Sequence, residues 1–152
     1  MGTERIFAHP SVQTSIDGVH RKVPGSIGDL LEFRVLSEDR ETGEYILQCR
    51  TQDWMRNAIG TLHGGMGATI VDQAMGFVAY SYMTGPGTAP TIQMQLNYHR
   101  PMRPGEEVIV KVRVISVTRT LISMVCEASM AVEADQICIT ASATSFLRLD
   151  WK

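Results

Sequence analysis

Cysteine is scarce in this chain. Cys49, Cys126 and Cys138 are the only three, and they show no metal-ligand spacing. An odd, scattered set argues against a disulfide framework and favours free thiols in a reducing cytoplasm. Each sits in a strand-like run among apolar neighbours, which favours a packing role over nucleophilic chemistry. An excess of one charge is missing too. The formal net charge is −2, so no basic field argues for nucleic acid. No internal repeat and no low-complexity tract is present. The opening MGTERIFAHP lacks an apolar signal core, so secretion is not expected. The longest apolar run, Met66–Met83, is barely long enough for a bilayer and contains Asp72 and Gln73. A soluble core helix, with no membrane partner, is the expectation.

What remains is ordinary in bulk and specific in pattern. The chain has 152 residues, 44% of them hydrophobic and 20% charged, enough for one compact domain. Residues 1–28 show weak periodicity and read as an extension with a short helix near Ser11–Arg21. The single domain then occupies 29–152. Leu30–Leu36 and Glu44–Arg50 read as a hairpin about a charged turn, and Asp53–Leu62 as a loop. Met66–Met83 is the one long helix, stopped by Gly and Pro in Thr84–Pro90. After it the period changes to two. Four alternating runs follow: Thr91–Tyr98, Glu107–Val117, Leu121–Val132 and Ile137–Leu149. They imply antiparallel strands with one buried face. A helix that is apolar nearly all round must be covered on most sides. The expected fold is therefore α+β, one long central helix wrapped by a curled antiparallel sheet of about six strands. A second subunit is expected to cover what the sheet leaves open.

Candidate chemistry lies at that helix. Asp72 is the only acid in its apolar stretch, and burying a carboxylate without purpose is costly. Nine residues earlier stands His63-Gly64-Gly65. A diglycine opening a helix presents bare N–H groups to an anion. Gly64 and Asp72 are eight residues apart, about 12 Å of helical rise. An oxyanion donor and an attacking group must both lie roughly 3 Å from one carbonyl. Two antiparallel helices across a two-fold axis could bring Gly64 or Gly65 of one chain to Asp72 of the other. Thr69, Asp72, Gln73 and Gly76 form one polar or small stripe suited to a cleft wall.

The segment Asn57–Gly76, NAIGTLHGGMGATIVDQAMG, resembles the signature of hotdog-fold acyl-CoA thioesterases. The likeness is to the phenylacetate-degradation (PaaI-type) branch and the related mammalian thioesterase-superfamily member. Asn57, Gly60, His63, Gly64, Gly65 and Asp72 stand in that family's register, and the resemblance runs from about Leu30 to Leu149. It implies a homodimer or dimer of dimers that hydrolyses acyl-CoA, with no cofactor and no metal. It implies Asp72 as nucleophile or general base, and the Gly64 N–H, with Gly65, as oxyanion hole. Asn57 and His63 would orient the carbonyl or the water, and Thr91 falls where the family often has Ser or Thr near the acid.

A CoA substrate needs phosphate contacts. His99, Arg100 and Arg103 cluster in one turn and Arg119 lies in another, and Arg suits phosphate through its planar fork. Gln73 on the polar stripe is a further substrate-binding candidate. For Met66, Met75, Phe77 and Met94 core packing is the default reading, with the lining of an acyl pocket as the alternative. Two alternatives stand beside hydrolysis. One is an enoyl-thioester hydratase or dehydratase on the same fold, pairing an acid with a His. The other is a non-catalytic acyl-CoA-binding module.

Overall fold

Helix α3 (Gly64–Ser81) is the axis of the protein, seen here in a computed structural model that describes residues 9–150. The first eight residues of the expected extension therefore fall outside the described residues. Ala, Met, Ile and Val fill α3 without a proline, and Ile70, Val71, Ala74, Met75, Phe77, Val78 and Ala79 are buried. The helix ends at Tyr82, ahead of Gly85 and Pro86. No helix among the described residues is long and apolar enough to cross a membrane.

Six strands wrap α3: β1 (Arg34–Asp39), β2 (Glu44–Arg50), β4 (Thr91–Tyr98), β5 (Glu107–Val117), β6 (Leu121–Met130) and β7 (Ile137–Phe146). They form one antiparallel sheet in the order β1-β2-β5-β6-β7-β4. The alternation read from sequence becomes its inner face. Val108, Val110 and Val112 of β5, then Ile122, Met124, Cys126, Ala128 and Met130 of β6, are all buried. Each large apolar side chain so covered stabilises by about 1.5–3 kcal/mol. A two-stranded ribbon, β3 (Gly87–Thr88) with β8 (Arg148–Leu149), closes the far end. A side chain at position 87 would place its Cβ 2.0 Å from the Arg148 carbonyl oxygen, so only glycine lets this ribbon pair.

Two departures from the sequence reading concern the start of the domain. The strand expected over Leu30–Leu36 begins only at Arg34. Before it, Ser26 caps a short helix, α2 (Ile27–Leu30), by accepting from the Asp29 N–H. The leading helix α1 (Val12–Lys22) forms where expected, capped by Ser11. It lies on α3 with Val12 and Ile16 fully buried in the same core. One flank of α3 thus finds its cover within the chain. His9, just ahead of α1, donates from Nδ1 to the Met83 carbonyl at 2.8 Å. Gly28, just beyond α1, lies against the Gln73 side chain. The two helices therefore run antiparallel.

Candidate active site

The diglycine turn is held by three side chains. His63 is the N-cap of α3, and its Nδ1 accepts from the Gly65 N–H at 2.9 Å. Thr69 donates to the Gly65 carbonyl at 2.8 Å. Tyr98 donates to the Gly64 carbonyl at 2.7 Å. Accepting at Nδ1 leaves a neutral His63 with its proton on Nε2. A Cβ at position 65 would stand 3.1 Å from His63 Nδ1, so the second glycine makes room for the cap. Its N–H is consumed by that cap, so the expected share of Gly65 in an oxyanion hole has no free donor. The Gly64 N–H is the donor left over; among the described residues no acceptor meets it.

A cleft of about 320 Å³ opens at this helix end, lined by Asn57, His63, Gly64, Tyr98, His99 and Arg100 among others. Five of the residues expected from sequence therefore meet: Asn57, His63, Gly64, His99 and Arg100. The Asn57 side chain is largely spent on its own loop. Its Oδ1 accepts from the Ile59 and Thr61 N–H groups at 3.1 Å each, and its Nδ2 donates to Thr61 Oγ1 at 2.8 Å. One Nδ2 proton is left for a ligand. Arg103 points elsewhere, paired with Glu106 at 2.8 Å and Glu133 at 3.2 Å. The Glu106 carboxylate, then that of Glu133, raises the Arg103 guanidinium above its ordinary range. A guanidinium so occupied is a poor phosphate ligand.

Asp72 does not line that cleft. It is half-buried on the open side of α3, with Thr69, Gln73 and Gly76 also half-buried beside it. The deep burial inferred from its apolar neighbours is not reached within one chain. Its Oδ1 accepts from the Thr91 hydroxyl at 2.7 Å. This contact runs against the plain alternation of β4, which puts Thr91 on the outer, polar side. The ladder explains it. Thr91 pairs with Ser145 and Gln93 with Thr144, so Ile92 is an extra residue. A bulge re-aims the side chain before it. Thr91 now shares a face with the fully buried Ser145, while Ile92 is 59% exposed. Gln73 turns the other way, into a groove between α1 and α3.

The sequence pattern does not mark Tyr98 as a clamp on Gly64. A tyrosine at the last position of an edge strand, where an OH can reach past the sheet, was the available signal. The cysteines take no part. Cys49, Cys126 and Cys138 are free and buried. Burial pushes the Cys49 and Cys126 thiols up to about 12. Among the described residues no group of three His, Cys, Asp or Glu is arranged to hold a metal ion.

The thioesterase superfamily pattern matches residues 59–139, just over half of the chain and the whole of α3. The chain belongs to the thioesterase superfamily. Within that superfamily it is similar to human acyl-coenzyme A thioesterase 13, 32% identical over 80 residues. The match covers 52% of this chain and 56% of the human protein, so it spans little more than half of that relative's length. A Streptococcus mutans protein solved bound to acetyl CoA is 27% identical, with a TM-score of 0.65 over 79% of this chain and 91% of that one. A phenylacetic acid degradation-related protein from Ralstonia eutropha is 20% identical, with a TM-score of 0.77 over 90% and 99%. That last likeness is one of fold, and the fold is the hotdog arrangement.

Proposed function

We propose that this chain hydrolyses acyl-CoA thioesters to a free acid and CoA, at a site completed by a second copy of itself. The observation that carries the reading is the division of the chemistry along α3. A free Gly64 N–H stands at the helix start, and a Thr91-held carboxylate stands eight residues on, on the uncovered stripe. Those groups are about 12 Å apart along one helix, too far to serve one carbonyl. An antiparallel partner helix would bring Gly64 of one chain to Asp72 of the other. Exposed Ile92 and Tyr98 on edge strand β4 support a partner at that side. A dimer of dimers is the larger assembly we propose, and the buried free thiols suit a cytoplasmic setting.

The reaction follows from the residue types. Asp72 draws a proton from water, whose oxygen attacks the thioester carbon. The carbonyl oxygen becomes an oxyanion and is met by the Gly64 N–H, with the α3 dipole behind it. The C–S bond breaks, the thiolate of CoA leaves, and the proton held by Asp72 returns to it. The Nε2–H of His63 and the spare Asn57 amide proton orient the substrate in the cleft. Arg100 on the cleft rim suits a CoA phosphate. The curated human relative's name and the acetyl CoA bound to the Streptococcus mutans protein support this substrate class.

The test is release of free thiol from a panel of acetyl-, phenylacetyl- and long-chain acyl-CoA. No release from any of them, in wild type and Asp72→Asn alike, overturns hydrolysis. A hydratase would instead need an enoyl-CoA to gain water. His63 is a poor base for that, because its Nδ1 is already engaged with Gly65.

A further inference from the structure

A second cavity of about 470 Å³ lies between α1 and α3, away from the cleft at the helix start. Phe77, Tyr80, Val19 and Ala89 give it apolar walls. On α3 its floor is Gln73, Gly76, Phe77 and Tyr80, spaced i, i+3, i+4 and i+7 on one helix face. Gly76 is also one turn beyond Asp72 on the acid's own stripe. Asp72 itself does not line the cavity; it begins at the neighbouring Gln73 and runs past Gly76 toward the far end of α3. From Gln73 to Tyr80 that is about 10 Å.

Two glycines open it. Gly76 lies inside α3 and Gly18 inside α1, both lining the cavity. Glycine is a poor helix former, so its presence mid-helix needs a reason. Packing within the chain does not supply one. A Cβ at Gly18 or at Gly76 would meet nothing within 4 Å. Contrast Gly87, where the same atom would strike backbone.

We infer that this groove receives the acyl chain of the thioester, a linear apolar chain of medium length, with α1 as its outer wall. The inference rests on the hydrolase reading for the attached CoA. A thioester carbon beside Asp72 directs its acyl tail past Gly76 into the groove, while the CoA part turns toward Arg100. The size suits a ligand pocket, and its lining joins apolar Val19, Phe77 and Ala89 to polar Thr14, Arg21, Lys22 and Gln73. Gly18 is the residue that sets chain length.

The test fills the groove from the wall remote from the acid. Gly18→Ala and Gly18→Leu are compared with wild type for calorimetric affinity toward S-decyl-CoA, a thioether that cannot be hydrolysed. The ratio of kcat/KM for decanoyl-CoA to that for acetyl-CoA is measured beside it. Gly18→Leu is expected to weaken S-decyl-CoA at least tenfold and to lower the ratio similarly, with Gly18→Ala between. The graded Ala variant carries the result if Leu prevents folding. Equal S-decyl-CoA affinity in all three proteins overturns the groove. So does a change of oligomeric state in the ultracentrifuge with affinity unchanged, which makes the groove a subunit contact. Gly18-dependent binding of S-decyl-CoA with no turnover of any thioester upholds the groove and sinks the hydrolase reading instead.

Discussion

Tyr98, the last residue of β4, donates its hydroxyl to the carbonyl of Gly64, the first residue of α3. An edge strand thus holds the peptide unit beside the one free N–H at the helix start. Removing the hydroxyl leaves the ring in place and frees that peptide. A net hydrogen bond is worth about 1 kcal/mol, so Tyr98→Phe is expected to lower kcat roughly fivefold with KM little changed. An unchanged kcat on acyl-CoA would show that the clamp has no bearing on the oxyanion donor.

Asp72 and Thr91 form the second pair. Asp72→Asn is expected to lower kcat by about 100-fold or more, the usual scale of a lost general base. The melting temperature should stay within a few degrees, because the carboxylate is half-buried and makes no salt bridge among the described residues. Thr91→Val should cost about tenfold or less, since it removes only the orienting bond. Full activity in Asp72→Asn would falsify the assignment of the acid.

Arg100 and Arg103 are separated by their partners. Arg100→Ala is expected to raise KM for acyl-CoA several-fold, more at low salt than at 0.5 M salt, where screening is strong. Arg103→Ala breaks the pairs to Glu106 and Glu133 and should leave KM alone. Saturation curves for the two variants at two ionic strengths decide between them.

Helix α1 is part of the core. Ile16 is fully buried, and truncating such a residue to alanine costs roughly 2–5 kcal/mol. Urea titration of Ile16→Ala should show a lowered midpoint. A midpoint equal to wild type would mean that α1 detaches freely from α3.

The buried thiols give a pH dependence. Burial raises Cys49 and Cys126 to about 12, while an unfolded cysteine ionises near 8.5. Above that pH the unfolded chain has lost protons that the native chain keeps, so stability falls as pH rises. The contribution is intact below about pH 8.5 and fades toward pH 12, with a slope of about 1.4 kcal/mol per pH unit for each thiol. Denaturant midpoints from pH 8 to 11 should fall in wild type and fall less steeply in Cys49→Ala.

Periodicity carried most of the architecture. Val108, Val110 and Val112 of β5 and the alternating residues of β6 face inward as their spacing requires, and the apolar run became α3. The hairpin start was misread because Leu30–Leu36 looks strand-like residue by residue, while the Ser26 cap and Asp29 act through hydrogen bonds to backbone. At the candidate site, His63 and Gly64 share a cleft with Asn57 and Arg100, as the sequence reading expects, while Asp72 lies apart on the open side of α3. Three facts were not legible in the sequence. The Gly65 N–H is spent on His63, Arg103 is tied by Glu106 three residues on and by Glu133 from another segment, and Tyr98 reaches a carbonyl 34 residues earlier. The first turns on the side-chain rotamer of His63, and the Glu133 and Tyr98 contacts depend on long-range placement; local pattern encodes neither.

The extra residue at Ile92 makes this part of the chain sensitive to length rather than to composition. Adding or deleting one amino acid between Pro90 and Gln93 would swing the Thr91 hydroxyl into solvent without altering a single residue type. Anyone transplanting the strand into another scaffold must preserve the count there, because an insertion harmless in most connections would disarm the carboxylate beside it.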